Sequence, residues 1–261
     1  MTATPELVLV DRSSTLITIT INRPDSRNCL TADTINALIS AFKSVSGQPS
    51  ARCVLLCSAG TEAFCSGADL SELLNADSPD SRRAFFGSIA TLIETIHRCP
   101  VPVVARVHGF ALAGGCGLAA ACDITIASDD AVFGLPEVRI GLAPLVVMAP
   151  ISRVVGHKAL SQLVLTGERI SAVRALEIGL VNRIVPPVLL NAEALKLCQD
   201  IMQQGAAALR AAKAAMLDSS ERDYLLSLHE LADRSALLSL GLEAKEGMQA
   251  FIEKRQPSWR I

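Results

Sequence analysis

The chain of 261 residues is 50% hydrophobic and 19% charged, which is enough apolar sequence to bury a large core and excludes an intrinsically disordered protein. Its formal net charge of -2 gives no general attraction to nucleic acid or to an anionic membrane, and an aromatic content of 3% disfavours base-stacking surfaces. We therefore expect a small-molecule partner, with no nucleic acid and no membrane.

Strands and helices alternate through the first half of the chain. The predicted elements, in chain order, are a hairpin over residues 6–22, a helix capped by Thr31, a strand at 53–58, a helix from about 82 to 98, a strand at 103–107, a short helix and a strand at 123–127. This alternation indicates an α/β architecture with a largely buried sheet.

The second half of the chain changes character. Helical patterns dominate after residue 150, with one strand-like stretch at 181–185, and the chain beyond residue 190 is rich in Ala, Leu, Lys and Glu. We predict an α/β core over residues 1–195 and a helical region over residues 196–261.

Cysteine and histidine usage predicts a reducing compartment and no metal site. The eight cysteines contain no C-x-x-C pair, and the four histidines lie far apart. No charged stretch followed by an apolar run stands near residue 1, so we expect no secretory signal. The longest apolar run, around residues 142–151, contains two prolines and is far shorter than the ~20 residues that span a bilayer. We expect a cytoplasmic protein.

Two glycine-bearing loops, each between a strand and a helix, are candidate binding elements. In residues 63–70, Gly67 permits a sharp turn, Asp69 suits the first turn of a helix, and the N–H groups near Ala68 are free to face a ligand. In residues 108–120, Gly114, Gly115 and Gly117 leave the backbone bare for close approach by a ligand. Two such helix starts can converge on one oxygen as an oxyanion hole. Ordinary strand–turn–helix connections and tight helix packing are the alternatives.

A dinucleotide fingerprint is a further alternative for the second loop. Residues 115–120 satisfy G-x-G-x-x-A, and Glu137 follows about 20 residues later. About seven residues separate Val107 from Gly115, however, whereas the fingerprint opens directly from its strand, and Pro136 precedes Glu137. These features disfavour a nucleotide-binding domain.

Glu137 is a single carboxylate among apolar neighbours in residues 132–141. Desolvation there would raise its pKa and suit a residue that moves protons. An exposed glutamate beside Pro136 is the alternative interpretation. We expect a structural role for Asp123, and a solvated or ion-paired side chain at Arg139.

Taken in order, these segments resemble the crotonase superfamily, the enoyl-CoA hydratase/isomerase family, over nearly the whole chain. The matching segments are R-P-x-x-x-N-x-L at 23–30, A-F-x-x-G-x-D at 63–69, a central block at 102–109, 113–116 and 122–124, and further pieces at 165–167, 175–182 and 246–257. The resemblance implies an α/β fold: a crotonase-like spiral of ββα units with a C-terminal helical trimerisation region. Such trimers are commonly paired into hexamers.

The resemblance also implies a site for a CoA thioester. Its carbonyl oxygen would lie between the backbone N–H groups of Ala68 and Gly114, and Glu137 would move the proton. No metal is implied, and no cofactor beyond the coenzyme A of the acyl-CoA substrate. The residues implied to contact substrate are Arg27, Cys29, Ser66, Gly67, Asp69, Leu70, Gly117, Pro136, Gly141, Phe251 and Lys254.

This sequence departs from the family pattern at two places. Typical hydratases carry a first glutamate in G-G-x-E, where this chain has Gly117, and Pro144 is not followed by the usual Gly-Gly. Some members resembling methylglutaconyl-type hydratases also lack the first glutamate. We favour hydration of a 2-enoyl-CoA. A single-glutamate enoyl-CoA isomerase and a non-catalytic acyl-CoA binder stay open, whereas a CoA-independent scaffold would make both Gly-rich loops coincidental.

Overall fold

The structure is a computed structural model that describes residues 6–12, 15–75, 78–221, 242, 246, 250 and 253–258. Its strands are β1 (Val8–Asp11), β2 (Leu16–Ile21), β3 (Cys53–Ser58), β4 (Ala63–Cys65), β5 (Val103–Val107), β6 (Phe110–Leu112), β7 (Ile124–Ser128), β8 (Val132–Gly134), β9 (Arg169–Ser171) and β10 (Arg183–Val185). Its α-helices are α1 (Ala32–Ser46), α2 (Leu70–Asn75), α3 (Pro79–His97), α4 (Gly114–Ala121), α5 (Met148–Ile151), α6 (His157–Thr166), α7 (Ala172–Glu177), α8 (Leu190–Met202) and α9 (Ala206–Glu221).

The strands form two sheets that the chain visits in turn. The larger sheet has the order β1-β2-β3-β5-β7-β10, and the smaller one has the order β4-β6-β8-β9. From β3 to β8, each strand of the larger sheet is followed by a short strand of the smaller sheet, and helices follow β4 and β6. The predicted α/β spiral of ββα units is therefore confirmed.

The start of the chain folds as predicted. Strands β1 and β2 pair antiparallel, and β2 buries Ile17, Ile19 and Ile21 while its alternate residues are only partly buried. Helix α1 begins after Thr31, whose side-chain oxygen accepts from the Thr34 N–H at 3.2 Å. Helix α3 starts earlier than predicted, because Ser78 caps it and proline occupies its first position.

The four short strands of the smaller sheet are the elements that the sequence did not predict. Strands β4 and β6 lie in segments interpreted as loops, β8 lies in a segment with no predicted element, and β9 lies where helical patterns dominate. At three residues, none is long enough to show a period-two pattern. The parallel pairings of β4 with β6 and of β6 with β8 bring the ends of β6 and β8 side by side, which places the segments that follow them close together.

Helix α8 covers one face of the larger sheet. Its buried residues Leu190, Ala194 and Cys198 pack on Leu55 and Val104 of the neighbouring strands. The predicted boundary between an α/β core and a helical region, at residue 195, falls inside this helix. That division of the chain stays a prediction. No described helix is both long and apolar enough to cross a membrane.

Candidate active site

Leu30 pairs with Ala68 of the first glycine-bearing loop in an isolated parallel bridge. The Leu30 N–H donates to the carbonyl oxygen of Gly67 at 2.8 Å, and the Asp69 N–H donates to the carbonyl oxygen of Leu30 at 2.9 Å. Successive N–H groups alternate in direction along extended backbone, so the N–H of Ala68 points away from Leu30. It has no hydrogen-bond acceptor within the part of the chain that the structure describes.

Asp69 fixes the loop at its other end. Its Oδ1 accepts from the N–H groups of Ser71 at 3.1 Å and Glu72 at 3.2 Å, so Asp69 precedes α2 and caps it rather than lying in its first turn. Its Oδ2 accepts from the Cys29 thiol at 3.4 Å and lies 3.7 Å from a guanidinium nitrogen of Arg23. Burial alone would raise the pKa of Asp69, but these partners outweigh it and lower the pKa.

The second loop ends at the N-terminus of α4. Ala113 precedes the helix at φ 51° and ψ −118°, and its N–H donates to the carbonyl oxygen of Gly134 at 2.9 Å. The first intrahelical bond is donated by Gly117, so the N–H of Gly114 is one of the unpaired donors at the helix start. It too has no acceptor among the described residues.

The two loops touch each other. A Cβ built on Gly67 would lie 2.7 Å from the Cβ of Ala113 and 3.3 Å from the nitrogen of Gly114. Gly67 also has φ +102°, in the region that favours glycine. The predicted pair of donors, Ala68 and Gly114, therefore lies on adjoining backbone segments, as an oxyanion hole requires.

Glu137 lies beside the start of α4. It belongs to a 3-10 turn, Pro136–Ile140, that follows β8, and the end of β8 is bonded to Ala113. Burial raises the pKa of the Cys116 thiol in α4 to about 12, and the Glu137 carboxylate adds to that rise, so the carboxylate lies within electrostatic range of this thiol.

The carboxylate of Glu137 is partly desolvated. Burial raises its pKa above the ordinary value, although its own backbone N–H opposes the shift. The Oε2 atom is buried and has no hydrogen-bond partner among the described residues. A raised pKa and an unpartnered oxygen suit a group that takes up and releases a proton.

Gly117, on the second turn of α4, faces a neighbouring residue and not open space. A Cβ built on Gly117 would lie 2.9 Å from the Cβ of Val147, whose residue is 6% exposed. This contact joins residues 30 positions apart, and no local sequence pattern predicts it. It leaves Glu137 without a second carboxylate from this position.

The remaining residues predicted to contact substrate lie in several parts of the chain. Arg27 and Asn28 both have positive φ, and Arg27 pairs with Glu62 at 2.7 Å on the surface. The structure places Ser66, Leu70, Pro136 and Gly141 next to the loop and turn already described, and it places Lys254 in the C-terminal turn at residues 253–255. Phe251 lies outside the described residues.

Asn28 is a functional-region residue whose role the sequence did not reveal. It is fully buried, its Oδ1 accepts from the Arg23 N–H at 2.9 Å, and its Nδ2 donates to the carbonyl oxygens of Ala59 and Ala63. It therefore ties residues 23–30 to the strand that leads into the first loop.

Two further observations bound the chemistry. The described residues contain no cluster of three or more His, Cys, Asp or Glu side chains that could hold a metal ion. A cavity of about 830 Å³ lies between α3, α5, α9 and the C-terminal end of α4, whereas Gly114 lies at the opposite end of that helix. The unpaired donors, and not this cavity, mark the candidate site.

Comparisons with known proteins indicate one family. A model of the family described as "Enoyl-CoA hydratase/isomerase" matches residues 11–261. The chain is 34% identical over 259 residues to the crotonyl-CoA hydratase of Syntrophomonas wolfei, covering 97% of this chain and 98% of that protein. It is 33% identical over 251 residues to the short-chain-enoyl-CoA hydratase of Clostridium acetobutylicum, covering 95% of each.

Solved structures give the same result. An enoyl-CoA hydratase from Mycobacterium smegmatis superposes with a TM-score of 0.95 at 36% identity, covering 98% of this chain and 99% of that one. The enoyl-CoA hydratase from Bacillus anthracis superposes with a TM-score of 0.92 at 32% identity, covering 98% of this chain and 99% of that one.

Proposed function

The chain belongs to the enoyl-CoA hydratase/isomerase family, and from that premise we propose that it adds water across the double bond of a 2-enoyl-CoA thioester. The observation that carries the proposal is the buried, unpartnered Oε2 of Glu137 beside the start of α4, where two free N–H groups meet. The relatives named as crotonyl-CoA and short-chain-enoyl-CoA hydratases support hydration over the alternatives.

The N–H groups of Ala68 and Gly114 polarise the thioester. They donate to its carbonyl oxygen, withdraw electrons from C3 and stabilise the enolate that forms when C3 is attacked. Each such donor typically contributes 10²- to 10³-fold in rate, about 3–4 kcal/mol. The partial positive charge at the N-terminus of α4 acts in the same direction.

Glu137 moves the proton. Its carboxylate takes a proton from water as the water oxygen bonds to C3, and it returns a proton to C2 as the enolate collapses. The product is a 3-hydroxyacyl-CoA. The raised pKa of Glu137 brings its proton affinity closer to that of the groups it serves.

The substrate's own coenzyme A is the cofactor that this reaction needs. We assign its binding to the first loop and its surroundings, from Arg27 and Cys29 to Leu70, together with Phe251 and Lys254. Pro136, Gly141 and Gly117 would border the acyl group.

We propose a homotrimer or homohexamer in a reducing compartment, the cytoplasm. Large apolar side chains, among them Leu145, Leu165 and Val188, are exposed on the described surface, as expected of residues that meet other subunits. All eight cysteines are free thiols, which supports the compartment.

A panel of 2-enoyl- and 3-enoyl-CoA thioesters tests the function, with absorbance and mass as readouts. The proposal predicts a gain of one water by a 2-enoyl-CoA and loss of its conjugated absorbance. A double bond that shifts at constant mass would identify an isomerase instead, and tight binding without change would identify an acyl-CoA binder.

A further inference from the structure

The two departures from the family pattern lie against each other in space. One is the glycine at position 117, and the other is the segment after Pro144, which lacks the usual Gly-Gly pair and contains Val147. A Cβ built on Gly117 would lie 2.9 Å from the Cβ of Val147, 3.3 Å from its Cα and 3.3 Å from its Cγ1. Real Cβ atoms essentially never approach other atoms within 3.0 Å, so any side chain at position 117 requires a shift.

Val147 cannot move aside by a change of rotamer. Two of the three close atoms are its Cα and Cβ, whose positions are set by the backbone. That backbone is held in a turn in which the Met148 N–H donates to the carbonyl oxygen of Pro144 at 2.8 Å, directly before α5. Val147 is 6% exposed, so the core surrounds the rest of its side chain.

Gly117 lies three residues after Gly114, and residues at this spacing share one face of a helix. Val147 therefore fills the space next to the helix turn that carries an oxyanion donor, and it fills it with hydrocarbon. The neighbouring partly buried side chains, Leu142, Val146 and Met148, are apolar as well.

We propose that Val147 fills the space beside Gly117 and excludes a side chain there, which limits the site to one carboxylate, that of Glu137. This inference rests on the proposed function. In the reaction, the π bond between C2 and C3 breaks, hydroxide from water bonds to C3, and the remaining proton reaches C2. Glu137 accepts and returns that proton, so one residue performs both transfers.

Four proteins test the proposal: the wild type, Gly117→Glu, Val147→Gly and the double variant. Thermal unfolding, turnover of a short 2-enoyl-CoA and the pH dependence of turnover are measured for each. We expect Gly117→Glu to lower the melting temperature and to lose at least 10-fold in turnover. The double variant should regain stability relative to Gly117→Glu, and the acid limb of its pH profile should show a second ionisation.

A matched control uses the adjacent residue. Val146→Gly removes a similar side chain from the same turn, but the three atoms nearest to a Cβ at position 117 all belong to Val147 and none to Val146. It should therefore fail to restore stability to Gly117→Glu. Should Gly117→Glu not fold, the pair Gly117→Ala and Val147→Ala measures the same coupling with the smallest side chain.

Two results would overturn the proposal. One is a Gly117→Glu or Gly117→Ala protein as stable as the wild type, whose stability responds equally to changes at 146 and 147. The other is a folded double variant in which Glu137→Gln costs as much turnover as in the wild type. Failure of the proposed function has a different signature, because the wild type would then hydrate no 2-enoyl-CoA while the stability coupling between 117 and 147 persisted.

Discussion

At the scale of single residues, the site depends on two backbone conformations that fit only each other. Ala113 is a non-glycine residue at φ 51°, which costs on the order of 1–3 kcal/mol. Its methyl group occupies the place that a side chain at Gly67 would need. The strain at Ala113 turns the start of α4 toward the first loop, and the missing side chain at Gly67 makes the approach possible.

Gly67→Ala should therefore separate the two donors. We expect turnover to fall by about 10²- to 10³-fold as at least one N–H leaves the carbonyl oxygen. Steady-state kinetics would measure this loss, and Gly87→Ala is the matched control. A Cβ on Gly87 meets nothing within 4 Å in the middle of α3, so this change should raise stability by about 0.5–1 kcal/mol and leave turnover intact. Wild-type turnover in a folded Gly67→Ala protein would show that the contact between the two loops does not position the donors.

Glu137 should lower stability at neutral pH. Its pKa is raised in the folded state above the ordinary 4.5, so the folded protein binds this proton more tightly than the unfolded chain does. Stability is consequently lost as the pH rises from about 4.5 through the folded pKa, and it stays lower above that value. Glu137→Gln keeps the shape without the charge, and it should unfold at a higher temperature than the wild type at pH 7.

Thermal melts across pH check this sign. The advantage of Glu137→Gln should shrink as the pH is lowered toward 4.5. Glu177→Gln, which breaks an exposed pair with Arg174, should give a small change in the opposite direction. A Glu137→Gln protein that is less stable than the wild type at pH 7 would show that the folded state stabilises the charged carboxylate.

At the scale of elements, a buried ion pair fastens α9 to the sheet. Lys213 is 6% exposed, and its Nζ donates to Oδ2 of Asp123 at 2.6 Å and to the carbonyl oxygen of Val101 at 3.0 Å. The same Oδ2 accepts from the Val103 N–H at 2.7 Å. Asp123 directly follows the chain's turn out of α4, so one carboxylate connects the start of β5, the end of α4 and the middle of α9.

Lys213→Met should reduce the free energy of unfolding by about 3 kcal/mol, because it leaves a carboxylate and a carbonyl without their cation. The double change with Asp123→Asn should recover part of that loss. Arg174→Met removes a surface pair and should cost no more than about 0.5 kcal/mol. Urea denaturation of the wild type and these three variants measures the differences in the free energy of unfolding. Equal losses for Lys213→Met and Arg174→Met would contradict the role of the buried pair.

The elements that the sequence predicted are those with a local signal. The β2 alternation, the Thr31 cap and the apolar strand β3 each depend on residues close in the chain. Strands β4, β6 and β8 depend on pairing with distant segments, and three residues carry no periodicity. The site shows the same limit. Glu137 and the glycines were identifiable by motif, but the Leu30–Ala68 bridge and the contact of Val147 with Gly117 exist only once the chain is folded.

At the scale of the whole molecule, the exposed apolar side chains predict association. Leu145, Leu165 and Val188 are exposed to water, and covering them would lower the free energy of the protein by roughly 25 cal/mol for each Å² of apolar surface. Light scattering coupled to size exclusion should give the mass of a trimer or a hexamer. A monomer whose mass does not change with concentration would contradict this prediction.

The proposed hydration depends on one carboxylate, which acts on a thioester held by two backbone donors. The most direct test compares turnover and binding of a short 2-enoyl-CoA by the wild type and by Glu137→Gln. The account predicts that turnover falls by about 10²- to 10⁴-fold while the dissociation constant for the acyl-CoA changes little, because the proton carrier is lost and the donors remain. A Glu137→Gln protein that hydrates the substrate as fast as the wild type would contradict it.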